Sequence, residues 1–177
     1  MMKSYIQTEI LNGGKYNILS LIRNLMSNIN KRFLLIIRLY LWSYERKIPF
    51  LTGHLYRKLI LKYGCFIGPN AKIGMGIQFP HPNGIVIGDG TIIGNNCIIY
   101  QQVTLGGRII GDAQRRNYPR VGNNVVIFAG AKIIGGVKIG DNVIIGANSV
   151  VNKDMPADSI VAGVPAKIIK KINTGTP

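Results

Sequence analysis

Between Ile67 and Met155 the chain repeats itself every six residues. An aliphatic or aromatic residue opens each of thirteen hexads: Ile67, Ile73 and Phe79, then Ile87, Ile93, Ile99 and Leu105, then Val121, Ile127, Ile133, Ile139, Ile145 and Val151. The next residue is often glycine, as at Gly68, Gly74, Gly94 and Gly122. Four residues after the anchor comes a small or modest side chain, such as Ala71, Thr91, Cys97, Val125 or Ser149. A period of six fits neither a helix nor a long strand alternating at two. It fits a solenoid of short strands, each followed by a tight turn. Three hexads close one triangular coil, and successive coils stack at strand spacing, about 4.8 Å. Each anchor then points inward onto the anchor of the next coil. The glycines, or an asparagine such as Asn95, Asn123 or Asn142, are expected where a corner needs an unusual backbone angle.

The repeat is broken twice. Between Phe79 and Ile87 eight residues stand where six would do, and they include Pro80, His81, Pro82, Asn83 and Gly84. Between Leu105 and Val121 about ten further residues, rich in arginine, loop out. A coil only has to stack, so insertions of this kind are where a solenoid carries its function. Ahead of the repeat, residues 1–14 read as a loose end and Tyr16–Tyr44 as one or two helices, with apolar residues at helical spacing. Arg23, Lys31, Arg32 and Arg38 are expected on the outer faces. A short basic helix over His54–Tyr63 leads into the coil. After Met155 the register is lost, and a strand with a short turn is expected to cap the open end. The division is a helical, basic extension over 1–64, a coil over 65–156 with insertions at 80–86 and 107–120, and a cap and tail over 157–177.

Charge narrows the partners. The sequence has 22 basic and 7 acidic residues, net +15, of which residues 1–66 carry +9. Such an excess calls for an anionic partner: a phosphorylated co-substrate, an acidic acceptor or a membrane surface. No nucleic-acid motif accompanies it, so nucleic acid is not expected. Cys65 and Cys97 do not form a disulfide framework, and Cys97 fills a small-residue slot as an inert core thiol. The N-terminus lacks an apolar signal region, and the apolar run Phe33–Trp42 is too short to span a bilayer. A cytoplasmic protein is expected, with peripheral contact at the inner membrane face through the basic helices as a second option.

His81 is one of two histidines, and it stands between two prolines at a break in the coil. A restricted turn suits a fixed general base, and imidazole suits proton transfer near neutral pH; a corner-capping histidine is the plain alternative. Two distant histidines do not make a metal site, and no Ser–His–Asp arrangement is visible.

These residues bear a resemblance. His81-Pro82-Asn83-Gly84-Ile85-Val86-Ile87-Gly88, Gln102-Val103-Thr104-Leu105-Gly106-Gly107, Pro119-Arg120-Val121-Gly122 and Ala162-Gly163-Val164-Pro165-Ala166-Lys167 resemble the hexapeptide-repeat acyltransferases, most of all their serine acetyltransferase branch. The resemblance implies an all-β solenoid, a left-handed parallel β-helix with a short α-helical extension, assembled as a homotrimer. It implies acetyl-CoA as co-substrate, no metal, and His81 as catalytic base. Gly106, Gly107, Ala129, Gly130 and Ala131 would line the donor's pantetheine arm, and Lys167 would meet its phosphates.

The chain departs from that branch in the acceptor site. Pro80 stands where the family has an aspartate. Asn117-Tyr118 stands where it has an Arg-His pair that reads the amino acid. A neutral pair cannot replace a guanidinium–carboxylate contact, worth about 1.5–3 kcal/mol. The expected acceptor is therefore a sugar hydroxyl of a surface polysaccharide, with Tyr118 stacking on the ring and Pro80, Asn83, Asn117 and Arg116 as further contacts. Two alternatives stand beside it: a serine O-acetyltransferase of cysteine biosynthesis with a rebuilt acceptor site, and a non-catalytic trimeric scaffold.

Overall fold

A computed structural model describes residues 2–11, 13–14, 17–115 and 117–172. From Phe66 onward the chain winds as a triangular coil of two- and three-residue parallel strands. Face one carries Phe66–Ile67, Val86–Ile87, Thr104–Gly106, Lys132–Ile134 and Val150–Val151. Face two carries Lys72–Ile73, Ile92–Ile93, Arg120–Val121 and Lys138–Ile139, and face three includes Ile98–Ile99, Val126–Ile127 and Ile144–Ile145. The pairing register measures the coil directly. Lys138 lies opposite Arg120 and Ile144 opposite Val126, eighteen residues apart, which is three hexads. Across the first break the offset is twenty, as in Phe66 opposite Val86. Across the second it is twenty-eight, as in Ile92 opposite Arg120. The two and ten surplus residues thus leave the coil at its corners without disturbing the stack.

All thirteen anchors are buried, and the small residues four positions later complete the interior. Removing each aliphatic anchor from water is worth about 1.5–3 kcal/mol, which is what holds strands of two residues together. The corner chemistry differs from expectation. The left-handed backbone falls three residues after the anchor, at Asn96, Asn124, Asn142 and Asn148 with φ of 54° to 58°. Asn142 is placed as expected, whereas Asn95 and Asn123 are not; their side chains accept the backbone N–H of Met75 and Asn95 in the coil before. The glycine that follows the anchor is required for a different reason, close approach. A Cβ on Gly94 would lie 2.5 Å from the carbonyl oxygen of Gly122 in the next coil.

Among its described residues the extension holds four α-helices: α1 (Met2–Tyr5), α2 (Ile18–Ser27), α3 (Ile29–Glu45) and α4 (Pro49–Tyr63). Asn17 and Asn28 cap α2 and α3 through their side chains. Pro49, free to open a helix because it lacks only an N–H that would be unpaired there, starts α4 five residues earlier than expected. Gly64, at φ +60°, ends it. The described part of residues 1–14 is not a loose end. α1 runs into a wider helical turn, Ile6–Ile10, which buries Glu9 and Ile10. The reason is Arg38, expected outside but only 4% exposed. Its Nε and Nη2 donate to the Glu9 carboxylate at 2.9 and 2.6 Å, and Nη1 donates to the Ile73 carbonyl at 2.7 Å. A guanidinium between a carboxylate and the open rim of the first coil fastens the helices to the solenoid. α2 buries no residue, and Leu19 and Met26 are more than 70% exposed. Among the described residues no helix is long and apolar enough to cross a membrane. At the far end an antiparallel hairpin, Ser159–Gly163 with Ala166–Lys171, extends face three and covers the last coil.

Candidate active site

The eight-residue corner after Phe79 joins face three to face one. Phe79 is buried under the Phe33 ring at 5.2 Å, so the corner is anchored before it turns. His81 then emerges exposed, between Pro80 and Pro82. The Asn83 N–H closes a tight turn on the His81 carbonyl at 2.8 Å, and the Asn83 carbonyl accepts the Gln102 N–H from the next coil. The backbone that carries the imidazole is therefore fixed from both sides. Beside it lies Tyr100, ring centroids 6.0 Å apart, and Tyr100 in turn stacks on Phe128 at 5.1 Å. Sequence reasoning missed both aromatics. The available signal was that each fills the slot after an anchor, where glycine is the commonest choice.

The second insertion sits on another corner, between faces one and two. Its centre is α5 (Asp112–Arg115), and Asp112 holds it together. Asp112 Oδ2 accepts the N–H groups of Arg108 and Ile109 at 2.6 and 3.0 Å, and Oδ1 accepts the Asn117 amide at 3.0 Å. The Asn117 bond above all, then these two N–H groups, keeps the Asp112 carboxyl below its ordinary range. Tyr118 lays its ring across Gly88 and Gly90, where any Cβ would collide with it. Asn117 and Tyr118 are thus occupied in fixing the loop. Arg116 lies outside the described residues.

The candidate site residues accordingly fall into two groups. His81, Pro80, Asn83, Ala129, Gly130 and Ala131 share the corner between faces three and one. Gly106, Gly107, Asn117 and Tyr118 share the corner between faces one and two. Within one chain face one separates them. Ala131 points its methyl into the core, whereas Ala129 and Gly130 are half-exposed. Gly106 is open, since a Cβ there would meet only Thr104 Cγ2 at 3.6 Å; at Gly107 it would crowd Asp112 at 2.8 Å. Lys167 is exposed on the terminal hairpin, opposite Ala162. Both thiols are buried, which pushes the Cys65 and Cys97 pKa up and suits neither to nucleophilic work. A cavity of about 980 Å³ between the helices and the first coil, lined by Tyr5, Trp42, Ile48 and Lys72 among others, contains none of these residues.

Residues 118–153 match the family described as bacterial transferase hexapeptide (six repeats). Serine acetyltransferase of Synechococcus elongatus is 45% identical over 131 residues, covering 72% of this chain and 52% of that protein. The crystal structure of Neisseria gonorrhoeae serine acetyltransferase superposes with a TM-score of 0.82 at 29% identity, covering 98% of this chain and 68% of that one. A serine acetyltransferase in complex with CoA superposes at 0.70 with 37% identity, covering 78% and 56%. The chain spans about half the length of the curated relatives it matches. With these likenesses the triangular coil is a left-handed β-helix. They overturn the expectation of a polysaccharide acceptor, because the relatives are serine acetyltransferases. The structure supplies the physical reason for the error. Asn117 and Tyr118 carried the sugar reading, and both are engaged with Asp112, Gly88 and Gly90 inside their own chain.

Proposed function

We propose that this chain, which belongs to the hexapeptide-repeat transferases and to their serine acetyltransferase branch, moves the acetyl group of acetyl-CoA to the hydroxyl of L-serine. The observation that carries the reading is His81: an exposed imidazole on a turn fixed by two prolines, in a chain 45% identical to a serine acetyltransferase. His81 takes the hydroxyl proton as the serine oxygen attacks the thioester carbonyl carbon. Backbone N–H groups at the corner steady the oxyanion. As the C–S bond breaks, the imidazolium returns the proton to the departing thiolate, leaving CoA and O-acetylserine. The open Gly106 and the half-exposed Ala129 and Gly130 leave room for the pantetheine arm, and Lys167 offers a cation to its phosphates.

The active unit is a homotrimer. The corner bearing His81 and the corner bearing the α5 insertion lie on opposite edges of face one, so each needs the other from a neighbouring copy. With Asn117 and Tyr118 engaged in the loop, the serine carboxylate calls for a cation, and Arg115 is exposed at the end of α5. The test is thiol release from acetyl-CoA by the purified full chain, with L-serine in one arm and a panel of nucleotide sugars and oligosaccharides in the other. Turnover with serine and none with sugars is expected. Turnover with a sugar alone, or none in either arm, refutes the reading.

A further inference from the structure

One column of the coil departs furthest from the coil's own rule, holding three of its five exceptions. Of the thirteen residues that follow an anchor, eight are glycine, yet at the His81 corner three successive coils present Pro80, Tyr100 and Phe128. Parallel register sets them above one another, with Gln78 opposite Ile98 and Ile98 opposite Val126. Tyr100 and Phe128 stack at 5.1 Å with 21° between their planes, and the His81 ring lies 6.0 Å beyond, tilted by 53°. The fold does not require rings here, since Gly146 fills the same slot in the following coil.

His81 supplies the reason. The prolines and the Asn83 turn fix its backbone, but the imidazole still turns about two side-chain torsions, and the ring is exposed. A general base works at full rate only when a neighbour holds it in the productive rotamer. Such neighbours are usually carboxylates or carbonyls; here the ring partner among the described residues is Tyr100.

We propose that Tyr100, braced by Phe128, is a positioning residue that walls one side of the His81 imidazole and holds it in the orientation from which it accepts the proton. The proposal rests on His81 being the base. The test compares Tyr100→Gly, Tyr100→Phe, His81→Ala and the double variant Tyr100→Gly/His81→Ala in the acetyl-CoA and L-serine assay. Glycine is the coil's own residue at this slot, and circular dichroism with gel filtration checks that each variant folds and assembles as the parent does. Tyr100→Gly is expected to lower kcat roughly 10- to 100-fold while both KM values stay within about twofold. Tyr100→Phe keeps the ring and is expected to recover kcat to within about threefold. The double variant is expected to be no slower than His81→Ala alone, because Tyr100 acts through His81. An unchanged kcat in Tyr100→Gly overturns the proposal, as does a raised KM for acetyl-CoA at constant kcat, which would make Tyr100 part of the donor groove. A further loss in the His81→Ala background also overturns it. Full activity in His81→Ala alone would instead remove the base assignment itself, a separate failure.

Discussion

Breaking the Arg38–Glu9 pair should destabilise the chain far more than deleting it. Arg38 lies 4% exposed and Glu9 9% exposed, and the pair is the one salt bridge among the described residues. Besides its two bonds to Glu9, Arg38 donates to the Ile73 carbonyl at 2.7 Å and the Gly74 carbonyl at 2.5 Å, and Glu9 accepts the Gly76 N–H at 3.0 Å. Arg38→Leu strands a carboxylate in the interior and orphans two carbonyl contacts on the rim of the first coil. Removing one member of a buried pair costs about 3–5 kcal/mol. Glu9→Leu strands the guanidinium but leaves its two carbonyl acceptors, so it should fall at the lower end of that range. The double variant Glu9→Leu/Arg38→Leu strands no charge. What remains is the lost bonding of two carbonyls and one N–H, with solvent at hand, for about 1–3 kcal/mol in all. The double variant should thus be more stable than Arg38→Leu, with a coupling of at least about 2 kcal/mol. Urea titration followed by circular dichroism, at one protein concentration because assembly shifts apparent stability, measures all four corners of the cycle. Single variants that each cost under about 1 kcal/mol, or a double variant equal to their sum, would refute the view that this pair fastens helices to coil.

Three further perturbations probe the coil and its loop. Gly94→Ala forces a Cβ against the Gly122 carbonyl of the next coil and should cost about 1–3 kcal/mol, whereas Gly106→Ala, with only ordinary contact at 3.6 Å, should stay within about 0.5 kcal/mol; matched thermal melts decide. Cys65 and Cys97 should resist Ellman's reagent at pH 8 in the folded protein and react in urea, a rapid native reaction being contrary. Burial raises both thiols, so the unfolded chain ionises first and stability should fall as pH rises above about 8.5, the ordinary thiol value. Asp112 has the opposite sign: its folded carboxyl is held low, so its contribution is present above about pH 3.9 and is lost as pH falls through the folded value. At neutral pH Asp112→Asn should loosen the loop, read as faster tryptic cleavage after Arg108 and Arg115, and an unchanged cleavage rate would mean that α5 holds without it.

The limits of the sequence reading follow from which interactions are periodic. The anchors Ile67 to Val151 and the small residues four positions on recur at fixed spacing, so period alone places every one of them in the core. The two breaks are legible for the same reason, because a register makes surplus residues countable: two at the His81 corner and ten at the α5 loop. What the period cannot carry is a contact between a periodic and an aperiodic stretch. Glu9 and Arg38 stand 29 residues apart in a region without repeat, and their carbonyl partners on the coil are backbone atoms, which no side-chain pattern announces. Arg38 therefore reads as an outward charge until the rim of the first coil is seen. The acceptor site misled for a related reason. Asn117 and Tyr118 differ from the family's Arg-His pair, and a difference in identity invites a difference in substrate. Within the chain they meet Asp112, five residues before Asn117, and two glycines of an earlier coil, contacts that the identity of the two residues does not announce. Tyr100 shows the reverse case: a side chain in a glycine slot of an otherwise regular coil is a departure that the fold does not need, and it lies next to the one histidine of the coil.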